Sequence, residues 1–171
     1  MSLRFGVLGT GSISESHARA ANEADGAEIV AVYGRSLEKA RQLAAGYGAV
    51  AYDDRDAFLR DPRIDAVLVG SPSGMHGEHG IAAARAGKHI LMEKPVEVTP
   101  ARADALIEAA DAAGVRLGVF FQGRTAPEAP WLKKLVDAGE LGRAFLAAGQ
   151  VRWYREPVSY GGTRARGSWK L

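Results

Sequence analysis

Leu3-Arg4-Phe5-Gly6-Val7-Leu8-Gly9-Thr10-Gly11-Ser12-Ile13-Ser14 reads as a buried strand that runs into a glycine-rich turn and then a helix. Leu3–Leu8 is a short apolar run, and Ile13–Ala24 is helical in composition. Between them Gly9 permits a tight turn and Gly11 lets the backbone approach a pyrophosphate. The helix beyond supplies unpaired N–H donors and a partial positive charge. Thr10, Ser12 and Ile13 complete the turn as candidate cofactor contacts. Ser14 stands where a third glycine would govern helix–strand packing. A glycine turn alone is equally a loop with no ligand. Its place after the first strand of an alternating series is what points to a dinucleotide.

Outward from the turn the alternation continues. Glu28–Tyr33 is apolar and β-branched, a second strand. Ser36 is a candidate N-cap for a helix over Leu37–Ala45, with Gly46 at its end. Ala66–Val69 is the next strand, and a helix runs from about His76 to Ala86, stopping at Gly87. His89–Met92 is a strand, and Thr99-Pro100 opens a helix that ends at Gly114. Arg116–Phe121 is the last strand of the series. Near-continuous apolar strands joined by helical crossovers predict an α/β fold, a doubly wound parallel Rossmann sheet over residues 1–122.

Beyond residue 122 the rhythm changes. Trp131–Ala138 is helical, and Gly139-Glu140-Leu141-Gly142 is its exit. Phe145, Ala147, Gly149, Val151 and Trp153 then alternate with Gln150, Arg152 and Tyr154, which predicts a long strand. Residues 123–171 are expected to be the incomplete start of an α+β substrate and oligomerisation domain, because about fifty residues are few for a free-standing domain.

The chain has 171 residues, of which 47% are hydrophobic and 25% charged, values ordinary for a globular protein. The net charge is only +2, and no segment concentrates Lys and Arg as a nucleic-acid footprint would. Cysteine is absent, which removes disulfides, thiolate nucleophiles and Cys-ligated metal. No run approaches the length of a membrane span. The expectation is a cytoplasmic protein with a small-molecule partner and neither nucleic acid nor membrane.

Ligands of open α/β sheets lie at the carboxyl ends of the strands. After the second strand the sequence is Tyr33-Gly34-Arg35-Ser36, without the carboxylate that an NAD-preferring site uses for the ribose hydroxyls. Arg35 pairs with a 2′-phosphate and Ser36 donates to it, so NADP is expected over NAD. The plain alternative is a solvated arginine before a helix that Ser36 caps. Two further strand ends are informative: Ser71-Pro72-Ser73-Gly74-Met75-His76, and Gly87-Lys88-His89-Ile90-Leu91-Met92-Glu93-Lys94-Pro95.

Together with the glycine turn and the later Gly-Glu-Leu-Gly, these two segments resemble the Gfo/Idh/MocA oxidoreductase family over essentially the whole chain. The resemblance implies that Lys94 lies between nicotinamide and substrate as the catalytic residue. A lysine ammonium there hydrogen-bonds the reacting hydroxyl and stabilises developing alkoxide. The resemblance further implies cofactor contacts from Ser71, Pro72, His76, Glu93, Lys94, Pro95 and Gln122, and a cis peptide before Pro95. Strand alternation turns Glu93 to the face opposite Lys94. For His76 a structural capping role is nearly as good a reading. His76 and His79 are three apart, but no third ligand accompanies them, so no metal is expected. His17 and His89 carry no role beyond packing or solvation.

The family's second domain supplies an Asp and a His that no residue here matches. The resemblance implies hydride transfer between NADP(H) and a hydroxyl or carbonyl of a sugar, polyol or nucleotide-sugar, in a homo-oligomer. Arg152, Trp153, Tyr154, Arg155, Tyr160, Arg164, Arg166 and Trp169 make an aromatic, basic tail suited to sugar rings and acidic groups. Two other readings stay open: a cofactor-binding or regulatory module without catalysis, and an α/β domain with no ligand.

Overall fold

The computed structural model describes residues 2–152 together with 154 and 156. Among the described residues, six parallel strands and six α-helices follow one another. They are β1 (Leu3–Leu8), α1 (Ser12–Glu23), β2 (Ala27–Tyr33), α2 (Leu37–Ala45), β3 (Val50–Tyr52), α3 (Arg55–Arg60), β4 (Ala66–Val69), α4 (His76–Arg85), β5 (His89–Met92), α5 (Pro100–Ala112), β6 (Leu117–Val119) and α6 (Glu128–Asp137). The sheet order is β3-β2-β1-β4-β5-β6, the doubly wound arrangement. Every pairing is parallel. The order reverses between β1 and β4, so a crevice opens there at the carboxyl ends of the strands.

Both faces of the sheet are covered, as parallel sheets require. On one face Val67, Val69, Ile90 and Met92 pack with Phe58 and Leu59 of α3, Ala83 and Ala84 of α4, and Leu106 of α5. On the other, Phe5, Val7, Ile29, Val32 and Leu68 pack with Ala18 of α1 and with Ala40 and Ala44 of α2. All four residues of β4 are buried, because the central strand sends alternate side chains into both layers. The small alanines on α1, α2 and α4 let these helices lie close to the strands.

The predicted caps form. The Ser36 hydroxyl accepts from the Lys39 N–H, and Thr99 accepts from Arg102 with Pro100 following at the first helical position. Two elements carried no sequence prediction. β3 is an edge strand of three residues, too short for alternation to register. α3 has six residues, and its signal is Asp54, whose carboxylate accepts from the N–H groups of Asp56 and Ala57.

The chain forms two compact units, Met1–Phe121 and Gln122–Leu171. In the second, α6 starts at Glu128 rather than Trp131, since Pro130 is compatible with a first helical turn. The long strand expected from Phe145 to Tyr154 does not form among the described residues. Phe145 is 93% exposed and Val151 79%. A strand needs a neighbour for its N–H and C=O groups and a layer to cover its apolar face, and alternation specifies neither. Trp153, Arg155, Tyr160, Arg164, Arg166 and Trp169 of the predicted tail lie outside the described residues.

Candidate cofactor site and active site

The glycine turn sits at the carboxyl end of β1, at the edge of the crevice. Gly9 has φ +126°, and a Cβ there would lie 2.7 Å from Ser14 Oγ and 2.9 Å from Gly70 O. Only glycine fits both the backbone and the space. Ser14 is buried, and its hydroxyl donates to Gly70 O at 3.2 Å, joining α1 to the end of β4. This explains how a serine replaces the third glycine. Gly9 and Gly70 leave room for its side chain, and the Gly70 carbonyl satisfies its hydroxyl.

Gly11 differs from Gly9. It is the N-cap of α1 with ordinary extended dihedrals, and no side chain caps the helix. A Cβ at Gly11 would meet nothing within 4 Å. Gly11, Ser12 and Ile13 are exposed, so the first N–H groups of α1 face open space. The N-terminus of a twelve-residue helix without a side-chain cap, behind a Gly11 whose Cβ direction is open, fits a pyrophosphate.

Gly34 follows β2, and a Cβ there would come within 2.5 Å of Thr10 Cγ2. The turn is therefore packed through Thr10 against the Gly34 backbone that leads into Arg35, a constraint the sequence reading missed. Arg35 and Ser36 are exposed. Lys39, also missed, lies one turn into α2 and lines a cleft of about 450 Å³ with Thr10, Glu15, Gln42 and Tyr47. Its place three residues after the cap was the available signal.

At the end of β4, His76 is buried with Nε2 2.9 Å from Ser71 O and Nδ1 2.6 Å from Pro95 O. Its ring thus spans the loops after β4 and β5, and both nitrogens are engaged with backbone. His79 Nδ1 lies 2.8 Å from Ser71 Oγ. Burial holds the His79 imidazole down at about 4, and the positive charges of Arg55 and Arg35 act in the same direction against Glu78. The two histidines therefore brace Ser71 from its carbonyl and its hydroxyl, while Pro72 is exposed beside them.

At the end of β5, Glu93 is buried and Lys94 exposed. The peptide between Lys94 and Pro95 is cis. Glu93 Oε2 accepts from the Lys94 N–H at 2.7 Å, and Glu93 Oε1 lies 3.2 Å from His17 Nε2. The loop is fixed further on by Glu97, whose carboxylate accepts from the Gly77 N–H at 2.9 Å and from Arg102 at 2.7 Å. Glu97 was not singled out from sequence, because its backbone donor, Gly77, comes from a different crossover. Gln122 opens a 3-10 turn, Gln122–Arg124, in the second unit.

The strand ends of the first unit thus bring together the glycine turn, the Arg35–Ser36 segment, the Ser71 loop and the Glu93–Lys94–Pro95 loop. The Gfo/Idh/MocA model, described as an oxidoreductase family with an NAD-binding Rossmann fold, matches residues 3–121. The chain belongs to this family. It is 38% identical over 149 residues to inositol 2-dehydrogenase 3 of Saccharopolyspora erythraea, covering 86% of this chain and 44% of that one. A solved structure of the WlbA dehydrogenase from Chromobacterium violaceum, in complex with NADH and UDP-GlcNAcA, matches with a TM-score of 0.92 and 28% identity, covering 98% of this chain and 49% of that one. KijD10, a 3-ketoreductase from Actinomadura kijaniata in complex with NADP and TDP-benzene, matches with a TM-score of 0.75 and 28% identity, covering 81% and 43%. The chain spans less than half the length of these Gfo/Idh/MocA relatives. Among the described residues no helix is long and apolar enough to cross a membrane.

Proposed function

We propose that this chain is the cofactor-binding portion of an NADP-preferring oxidoreductase acting on a hydroxyl or carbonyl of a sugar, polyol or nucleotide-sugar. The observation that carries the reading is the uncapped N-terminus of α1 behind an open Gly11, on the same edge of the sheet as Lys94. Gly9, Thr10, Gly11, Ser12 and Ile13 hold the pyrophosphate end, and Arg35 and Ser36 hold the 2′-phosphate. No carboxylate occupies residues 33–36, and Lys39 adds a second cation nearby. A bound nicotinamide accepts or supplies the hydride.

Lys94 hydrogen-bonds the reacting oxygen and stabilises the negative charge that develops on it. Ser71, Pro72 and Pro95 border the cofactor. His76 contributes by holding the Ser71 and Pro95 carbonyls in place. Residues 1–122 form the dinucleotide domain, and residues 123–171 begin the domain for substrate and self-association. Trp131, Leu132 and Val136, each at least half exposed on α6, support a homo-oligomer. The relatives' names favour a polyol ring or a nucleotide-linked uronic acid as substrate.

The test is to follow nicotinamide absorbance with a panel of inositols and nucleotide-sugars, for the chain and its Lys94→Met variant. The variant is expected to bind NADPH within about threefold of the parent and to lose about a hundredfold or more of any turnover. Equal turnover by parent and variant would remove Lys94 from the chemistry.

A further inference from the structure

His17 lies in the second turn of α1. Its Nε2 is 3.2 Å from Glu93 Oε1, and the two side chains are only 11% and 7% exposed. The ring lies flat on Phe120, with centroids 3.9 Å apart and planes 9° from parallel. Three elements meet at this ring: α1, the residue after β5, and the residue after β6. A carboxylate oxygen is an acceptor, so in the tautomer with its hydrogen on Nε2 His17 donates to Glu93 Oε1.

The consequence falls on Lys94. The Glu93 N–H donates to Val69 O at 2.9 Å, which continues the β4–β5 ladder one residue past the strand. At Lys94 the N–H turns instead to Glu93 Oε2, at 2.7 Å. The peptide that aims Lys94 is therefore oriented by the Glu93 carboxylate. A long, exposed lysine stem has many rotamers, so the reach of its ammonium is set first by that peptide. The Glu93 carboxylate is nearly buried, and a buried polar group is held by its hydrogen-bond partners. His17 is the donor that ties it to α1.

We propose that His17 is a positioning residue for Lys94. By donating to Glu93 Oε1 it fixes the carboxylate that orients the Lys94 N–H. It thereby registers Lys94 against the helix whose N-terminus opens on the glycine turn. Phe120 covers the ring and shields the contact from water. The proposal rests on the reading of Lys94 and the glycine turn given above. It assigns a function to a helix residue distant in sequence from the Glu-Lys-Pro segment.

Two substitutions in the full chain test it. His17→Phe keeps a ring on Phe120 and loses the donor, whereas His17→Gln keeps a donor and loses the ring. The first readout is amide hydrogen exchange at Lys94, with the urea midpoint as a check on folding. The second is the emission of bound NADPH, which reports the surroundings of the nicotinamide. In His17→Phe, Lys94 exchange is expected to rise about tenfold or more with the fold intact, and the emission to change. In His17→Gln both are expected to return most of the way. Unchanged Lys94 exchange in folded His17→Phe overturns the proposal, and so does equal exchange in the two variants. Unchanged emission alongside faster exchange overturns the link to the cofactor site. If the parent chain binds no NADPH, the dinucleotide reading fails by itself, and Lys94 exchange still decides the contact.

Discussion

Gly11→Asp is expected to stabilise the fold and abolish cofactor binding, two effects that an ordinary destabilising mutation cannot combine. Gly11 has φ −86° and ψ 171°, which any residue adopts, and its Cβ direction is open. Aspartate is among the best N-caps and exceeds glycine by a few tenths of a kcal/mol. A carboxylate near a helix N-terminus adds roughly 0.3–1 kcal/mol, so the net gain in folding stability is about 0.5–1 kcal/mol. The same carboxylate occupies the N–H groups that a pyrophosphate would use. Two unit charges about 4 Å apart repel by about 4 kcal/mol at an effective dielectric of 20, and each lost charge-assisted hydrogen bond adds about 1.5–3 kcal/mol. Even after salt screening, about 3 kcal/mol remains, more than about a hundredfold in affinity. Urea unfolding reads the first effect, and nicotinamide fluorescence titration with NADPH reads the second. Gly9→Ala supplies the contrast. Its φ of +126° and a Cβ 2.9 Å from the Gly70 carbonyl cost about 2–4 kcal/mol of folding stability. A Gly11→Asp variant that binds NADPH within about threefold of the parent would refute the placement of the pyrophosphate.

Arg35→Ala is expected to weaken NADPH binding by about tenfold or more while leaving NADH within about twofold, as read by parallel titrations; equal losses for both would assign Arg35 a structural role. Burial lowers His79 from 6.5 to about 4. The unfolded chain therefore takes up that proton first as pH falls, so stability present above 6.5 is lost between 6.5 and 4. The shift corresponds to a loss on the order of 3 kcal/mol, and urea midpoints across that range should show a slope that His79→Asn largely removes. Gly77→Ala gains up to about 1 kcal/mol of helix propensity. It also sets a Cβ 2.7 Å from the fully buried Glu97 carboxylate, so a net loss of about 1–2 kcal/mol is expected, and an unchanged or raised midpoint would contradict the Glu97 clamp.

The sheet was legible because its signals are local. Apolar runs such as Ala66–Val69 and the capping residues Ser36 and Thr99 each act within a few residues. β3 and α3 were not legible, being too short to show a period. The strand expected over Phe145–Tyr154 failed for the converse reason: alternation is local, but a strand exists only with a partner. At the site, the glycine turn and Lys94 stood out through motif and resemblance. Gly34 did not, because its constraint is the Thr10 side chain of another element. His17 did not, because its partner is seventy-six residues away, across the sheet. Glu97 was hidden likewise behind donors from α4 and α5. What the sequence concealed was the set of polar contacts between strand-end loops.

The most direct test of the account is a fluorescence titration of the purified chain with NADPH and with NADH. Saturable binding of both is expected, with NADPH tighter by about tenfold or more. Equal or reversed affinities would contradict the phosphate site at Arg35 and Ser36, and binding of neither would contradict the dinucleotide site itself.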